Sequence, residues 1–232
     1  SVREFQFWLF KKMYFSKLNN KAYSIQDISL PNADVTIVGS DQVWNRDITG
    51  CFGNSFYLDF ISGTRKVALS SSFGKEKWEE SNEYTEEIKN LLSQFSAISV
   101  RESTGVNILN NVFGLKAINL PDPTLGYRQF ENLVLNHKPL HQVFPFLLLE
   151  DAKAKEKANY IANTLGLPLF KHTTITCRLQ NGPRHWLTRI KNSDFIITDS
   201  FHGLALSLIF NKQFFVFCAS EKKFTRLRSL LK

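Results

Sequence analysis

Cysteine is scarce in this chain, and its scarcity narrows the chemistry. Cys51, Cys177 and Cys218 are odd in number and far apart. They form no disulfide framework and show no metal-ligand spacing. They read as reduced thiols of a cytoplasmic protein, and no metal or other cofactor is expected. Glycine and proline, 11 and 7 of 232 residues, are too few for a fibrous or low-complexity chain. No internal repeat is present, which excludes repeat arrays. No apolar run reaches membrane-spanning length. The aromatic opening SVREFQFWLFKKMYF is broken by Arg3, Glu4, Lys11 and Lys12. It predicts an amphipathic helix with a basic face.

Acidic residues are also in deficit. The chain carries 29 Lys and Arg against 21 Asp and Glu, a net charge of +8, which suits an anionic partner. Phosphorylated small molecules, nucleic acid and anionic lipid all qualify. The cations concentrate at the two ends, with Lys11, Lys12, Lys17 and Lys21 at one and Lys222, Lys223, Arg226, Arg228 and Lys232 at the other. No interleaved basic–aromatic motif or recognition helix stands out, so nucleic acid is not the expected partner. What is plentiful is apolar. Hydrophobic residues make up 43% of the chain, enough to fill one large core or two small ones.

Short apolar runs alternate with helical periodicity. Strands are expected at 34–38, 66–70, 97–100 and 116–120, and helices over 76–95 and 103–111. A polar stretch around 126–142 interrupts the pattern. It resumes with strands at 144–149, 169–171, 195–198 and 213–218, and helices over 152–166, 185–193, 199–210 and 224–231. Strands apolar throughout and separated by helices predict parallel α/β sheets, here two Rossmann-like units over 1–130 and 131–232. Ligands of such sheets bind at the carboxyl ends of the strands, so the expected site is the cleft between two facing units.

Polar groups gather at those ends. After 34–38 comes Gly39-Ser40-Asp41-Gln42-Val43-Trp44-Asn45; after 97–100 come Arg101 and Glu102; after 116–120 come Asp122-Pro123-Thr124. Gly39 admits a ligand or a neighbouring backbone. Ser40, Asp41 and Gln42 offer hydroxyl, carboxylate and amide to a substrate, or Ser40 or Asp41 caps a helix. Trp44 either stacks on a sugar face or lies in the core. Arg101 beside Glu102 is either an internal ion pair or a clamp for a ligand carboxylate.

The segment Asp199-Ser200-Phe201-His202-Gly203 opens an apolar helix directly after 195–198. A helix start favours phosphate or carboxylate, and Gly203 allows close approach. A cap is needed there, from Asp199 or Ser200, but a histidine is not. His202 is therefore either a candidate proton donor to an anionic ligand or a satisfied histidine in a tight strand–helix junction. Lys212, just past the helix, is either an ordinary C-terminal cation or a further anion ligand.

GSDQVWN, SSFG, SVRE, DPT and DSFHG followed by FNK, in that order from about residue 34 onward, resemble the polysaccharide pyruvyl transferase family. The resemblance implies two Rossmann-like units in a B-type glycosyltransferase-like arrangement. It implies phosphoenolpyruvate as donor and a glycan acceptor, often lipid-linked, giving a pyruvate ketal on a cell-surface polysaccharide. His202, Asp41 and Glu102 would then be catalytic. Gly39, Ser40, Gln42, Trp44, Asn45, Arg101, Ser200, Gly203 and Lys212 would bind substrate. Family members begin with a strand carrying an Asn-Tyr-Gly type turn, and nothing of that form precedes Ser1, so the N-terminal unit is expected to lack its first strand. The expected location is the cytoplasm, with peripheral contact at the inner membrane surface. Two other readings fit the same fold: a glycosyltransferase using a nucleotide-sugar donor, and a non-catalytic glycan-binding relative.

Overall fold

A computed structural model describes residues 2–14, 33–148, 152–171 and 182–218, with 227, 228, 230 and 231. Its contacts divide the chain into two compact units. A first unit comprises 19–126 with 220–232, and a second comprises 1–18 with 127–219. Helix α1 (Val2–Tyr14) forms where the aromatic opening predicts one and belongs to the second unit.

The first unit is built on β1 (Val35–Val38), β2 (Arg65–Ser71), β3 (Phe95–Val100) and β4 (Ile118–Asn119), all parallel, in the order β1-β2-β3-β4. Among the described residues β1 is an edge strand, and Ile37 on it is exposed. A short α2 (Arg46–Thr49) and a 3-10 segment (Gly50–Tyr57) connect β1 to β2. Helix α3 (Asn82–Leu92) starts later than the periodicity suggests. The Ser81 hydroxyl accepts the Tyr84 N–H there, and this cap sets the beginning. Helix α4 (Ser103–Ile108) widens into a π turn, Leu109–Phe113, and α5 (Pro123–Gly126) follows β4. Trp44, Tyr57, Phe73, Ile88, Leu92, Val100, Leu109 and Phe113 fill the core. Lys66 is buried in it, its ammonium held by the Leu58 carbonyl at 2.7 Å and Gln94 Oε1 at 2.8 Å. Burial pushes the Lys66 pKa down, and Asp59 opposes that.

The second unit carries β5 (Val143–Phe146), β6 (Phe195–Thr198) and β7 (Gln213–Val216), parallel and in that order. Helices α6 (Ala152–Thr164), α7 (Pro183–Asn192) and α8 (Phe201–Ile209) accompany them. Gly166, at φ +65°, ends the turn after α6 in the left-handed conformation expected of a C-terminal glycine. The predicted strand 169–171 reduces to one bridge, Leu169 to Val143. Phe144, Leu187, Ile190, Ile196 and Phe210 form one apolar cluster, and Val143, Ala158, Ala162 and Ile197 another. Trp186 of α7 meets Phe7 of α1 edge-on at 5.4 Å, which seats α1 on this unit. Half of the predicted helix 224–231, residues 224–226 and 229, lies outside the described residues.

The expectation of parallel α/β sheets holds for both units. Burial of apolar strands between helices supplies the driving force. No described helix is long and apolar enough to cross a membrane.

Candidate functional site

In the first unit the carboxyl ends of β1, β2 and β3 converge on one polar cluster. Asp41 adopts φ +81°, a conformation that L residues avoid. Its neighbours hold it there. Its carbonyl accepts Ser72 N–H at 3.0 Å, and its Oδ1 accepts Gln42 N–H at 2.9 Å. The carboxylate itself stays exposed. Ser40 donates its hydroxyl to Asp122 Oδ2 at 2.5 Å. Arg101, whose side chain is 1% exposed, donates Nη1 to the same oxygen at 3.0 Å and Nε to Glu102 Oε1 at 2.9 Å. Its Nη1 also lies 3.7 Å from Asp41 Oδ1.

These bonds explain the charges. Burial alone would raise the Asp122 pKa; hydrogen bonds from Ser40, Thr124 and Arg101 outweigh it and hold the group at about 2. Burial likewise opposes the Arg101 charge, and Glu102 and Asp122 more than restore it. Of the two readings of Arg101, the internal ion pair is the one observed. Glu102 is equally enclosed, and its side chain does not cap α4.

Gln42 and Asn45 turn toward each other. The Asn45 amide donates to Gln42 Oε1 at 3.1 Å, while Asn45 Oδ1 accepts Asp47 N–H and caps α2. Ser40 and Asp41 do not supply that cap. Gly74, at φ +63°, lets this pair pack. A Cβ on it would stand 2.1 Å from Gln42 Oε1. Trp44, for which core and sugar platform were both open, is core. It is buried, stacked on Tyr57 at 5.4 Å, and its indole donates to the Phe56 carbonyl at 3.0 Å. A buried indole presents no face to a sugar. Gly39 is exposed, with open space where a side chain would stand.

In the second unit Ser200 is the cap of α8, its Oγ accepting Gly203 N–H at 3.3 Å. Asp199 instead accepts the Leu148 N–H at 2.6 Å, beyond the end of β5. Gly203 is required by packing. A Cβ there would lie 2.2 Å from Thr198 Oγ1 and 2.8 Å from Phe146 Cδ1. His202 is half-buried in the first turn of α8, at the carboxyl edge of β6, with the Phe201 ring edge-on at 5.4 Å. Among the described residues no three His, Cys, Asp or Glu side chains gather as a metal site requires.

The polysaccharide pyruvyl transferase family model matches residues 2–217. The chain belongs to that family. No curated protein matches it.

In this member of the family, Ser200, His202 and Gly203 come together, as do Ser40, Asp41, Arg101 and Glu102. Lys212 joins neither set. It precedes Gln213, which pairs with Phe195 at the start of β6, whereas His202 follows the end of β6. Helix α8 therefore separates the two residues. Burial lowers the Lys212 pKa, Asp194 counteracts that, and Lys191 adds to it. The residue missing from the predicted set is Asp122, the acceptor shared by Ser40 and Arg101. Its signal is the Asp-Pro-Thr turn closing a strand, whose Thr124 N–H binds Asp122 Oδ1 at 2.9 Å.

Proposed function

We propose that this family member transfers the pyruvyl group of phosphoenolpyruvate to a sugar of a cell-surface polysaccharide, as a ketal bridging two hydroxyls. The observation that carries the reading is His202, a half-buried imidazole in the first turn of α8, at the edge where parallel sheets take their ligands. The family match supports the transfer of a pyruvyl group to a polysaccharide.

Protonation of the methylene carbon of phosphoenolpyruvate makes the adjacent carbon electrophilic. One sugar hydroxyl adds to that carbon, the bond to phosphate breaks, and a second hydroxyl closes the ketal. Of the two hydroxyl protons, one balances the proton taken by the methyl group and the other leaves with phosphate. His202 is the proton donor. The start of α8, capped by Ser200, favours the anionic donor. Asp41, exposed on its constrained turn, takes the proton of an attacking hydroxyl. Ser40, Gln42 and the space beside Gly39 receive the sugar. Arg101 and Glu102 act through Asp122 and Asp41, fixing the turn. Contact with the inner membrane face, where a lipid-linked acceptor would be met, is supported by α1, on which Trp8 and Met13 are exposed beside Lys11 and Lys12.

A thermal-shift comparison of phosphoenolpyruvate with nucleotide sugars, on the parent and on His202→Ala, tests the donor. Phosphoenolpyruvate alone should stabilise the parent, and the substitution should remove most of that shift. Stabilisation by a nucleotide sugar alone would overturn the assignment.

A further inference from the structure

A second polar site lies in the first unit, apart from the cluster around Asp122. A cavity of about 360 Å³, within the roughly 300–1,000 Å³ typical of small-molecule sites, is lined by Arg46, Asn54, Ser55, Asp59, Tyr84 and Glu87. It lies among α2, the 3-10 segment and α3. Its walls are organised before any ligand arrives. Tyr84 stacks on Trp78 with centroids 6.0 Å apart and planes 6° from parallel, and the Arg46 guanidinium lies 4.4 Å from the Tyr84 ring centre. Arg46 Nη1 is also 3.5 Å from Glu80, yet its side chain remains 55% exposed. Asn54 donates to Glu87 Oε1 at 2.6 Å and accepts the Tyr84 hydroxyl at 3.3 Å. Ser55 Oγ is buried and finds no hydrogen-bond partner among the described residues. A buried hydroxyl without a partner costs free energy that a ligand hydroxyl would recover.

The charge of the lining selects the ligand. Asp59 and Glu87 outnumber Arg46, which already faces Glu80. Such a wall repels phosphate and carboxylate, in contrast to the needs of phosphoenolpyruvate. It suits a molecule rich in hydroxyls and without charge, donating to carboxylates and accepting from a guanidinium. Planar carboxylate, amide and guanidinium groups each engage two neighbouring hydroxyls at once. The cavity begins at Arg46, next to Asn45, whose amide binds Gln42 beside Asp41. Its first wall residue thus follows directly in the chain on the turn assigned to the reacting sugar. A polymeric acceptor needs purchase on units beyond the one that reacts.

We propose that this cavity binds an uncharged sugar unit of the acceptor glycan, neighbouring the unit that receives pyruvate. The inference rests on the reading of the chain as a transferase acting on a glycan.

Methyl glycosides of glucose, galactose and mannose are the probes, read by saturation-transfer NMR against the parent, Asp59→Asn and Ser55→Leu. Asp59 is exposed, circular dichroism checks that Asp59→Asn folds, and Ser55→Leu fills the cavity. At least one glycoside should receive saturation from the parent. Its affinity should fall about tenfold in Asp59→Asn, the effect of losing a charge-assisted hydrogen bond, and further in Ser55→Leu. No transfer from the parent, or equal transfer from all three proteins, overturns the proposal. Inorganic phosphate perturbing Arg46 where the glycosides do not would overturn it as well. Stabilisation of the parent by phosphoenolpyruvate, measured separately, tests the donor reading alone, so either result can fail without the other.

Discussion

Ser40 and Asp122, separated by 82 positions along the chain, share a 2.5 Å hydrogen bond, and Arg101 meets the same carboxylate oxygen at 3.0 Å. The turn after β1 is thereby fastened to the turn after β4. Removing Asp122 strips Arg101 of one of its carboxylate partners in a buried setting. Asp122→Ala should cost about 3 kcal/mol at neutral pH, in the range for breaking a buried pair. Urea denaturation of parent and variant checks this; equal midpoints would contradict it.

The same carboxylate makes stability depend on pH. Asp122 is held at about 2, below its ordinary 3.8. A depressed carboxylate stabilises the fold fully above its unfolded pKa, and the contribution is lost as pH falls through the folded value. The gap between parent and Asp122→Ala should stay constant above about pH 5 and close between about pH 4 and pH 2. Denaturation midpoints across that interval give the measurement.

Asp41 sets strain against function. Glycine adopts φ +81° without penalty, so Asp41→Gly should raise stability by about 1 kcal/mol. It should also abolish phosphate release from phosphoenolpyruvate in the presence of acceptor. A stabilised variant with full activity would remove Asp41 from the proposed chemistry.

Gly203 and Gly39 should part company when replaced by alanine. At Gly203 the new methyl meets Thr198 and Phe146 within 2.8 Å; at Gly39 nothing lies within 4 Å. Gly203→Ala should lose about 2 kcal/mol, as overpacked sites do, while Gly39→Ala stays near neutral. Thermal denaturation separates the two.

Lys212 lies at the far end of α8 from His202. Lys212→Ala should therefore leave the stabilisation by phosphoenolpyruvate unchanged, whereas His202→Ala removes it. Equal loss in both variants would restore Lys212 to the donor site.

Much of this was legible beforehand for local reasons. Phe195, Ile196 and Ile197 run apolar on both faces, as a covered parallel strand requires. Ser200 before an apolar helix reads as a cap because its hydroxyl reaches a backbone N–H three residues on. Other features were illegible because they depend on distant partners. Arg101 beside Glu102 could have faced a ligand, and only Asp122, arriving from another strand, decides for the internal pair. Trp44 could have been a platform until Tyr57 and Phe73 enclosed it. Gly203 looked like room for a ligand, but the room is taken by Thr198 and Phe146.

Alternation of apolar runs with helical periodicity, together with motifs at the strand ends, was enough by itself to determine parallel α/β units and the family. Those are consequences of short-range spacing, and short-range spacing is written in the chain. Which groups at the strand ends are exposed and which are consumed by one another was settled only in three dimensions. Asp41 remains exposed there and His202 half-buried, while Arg101 is enclosed by Glu102 and Asp122. Burial and pairing are properties of residues brought together from far apart, and a linear string does not carry those distances.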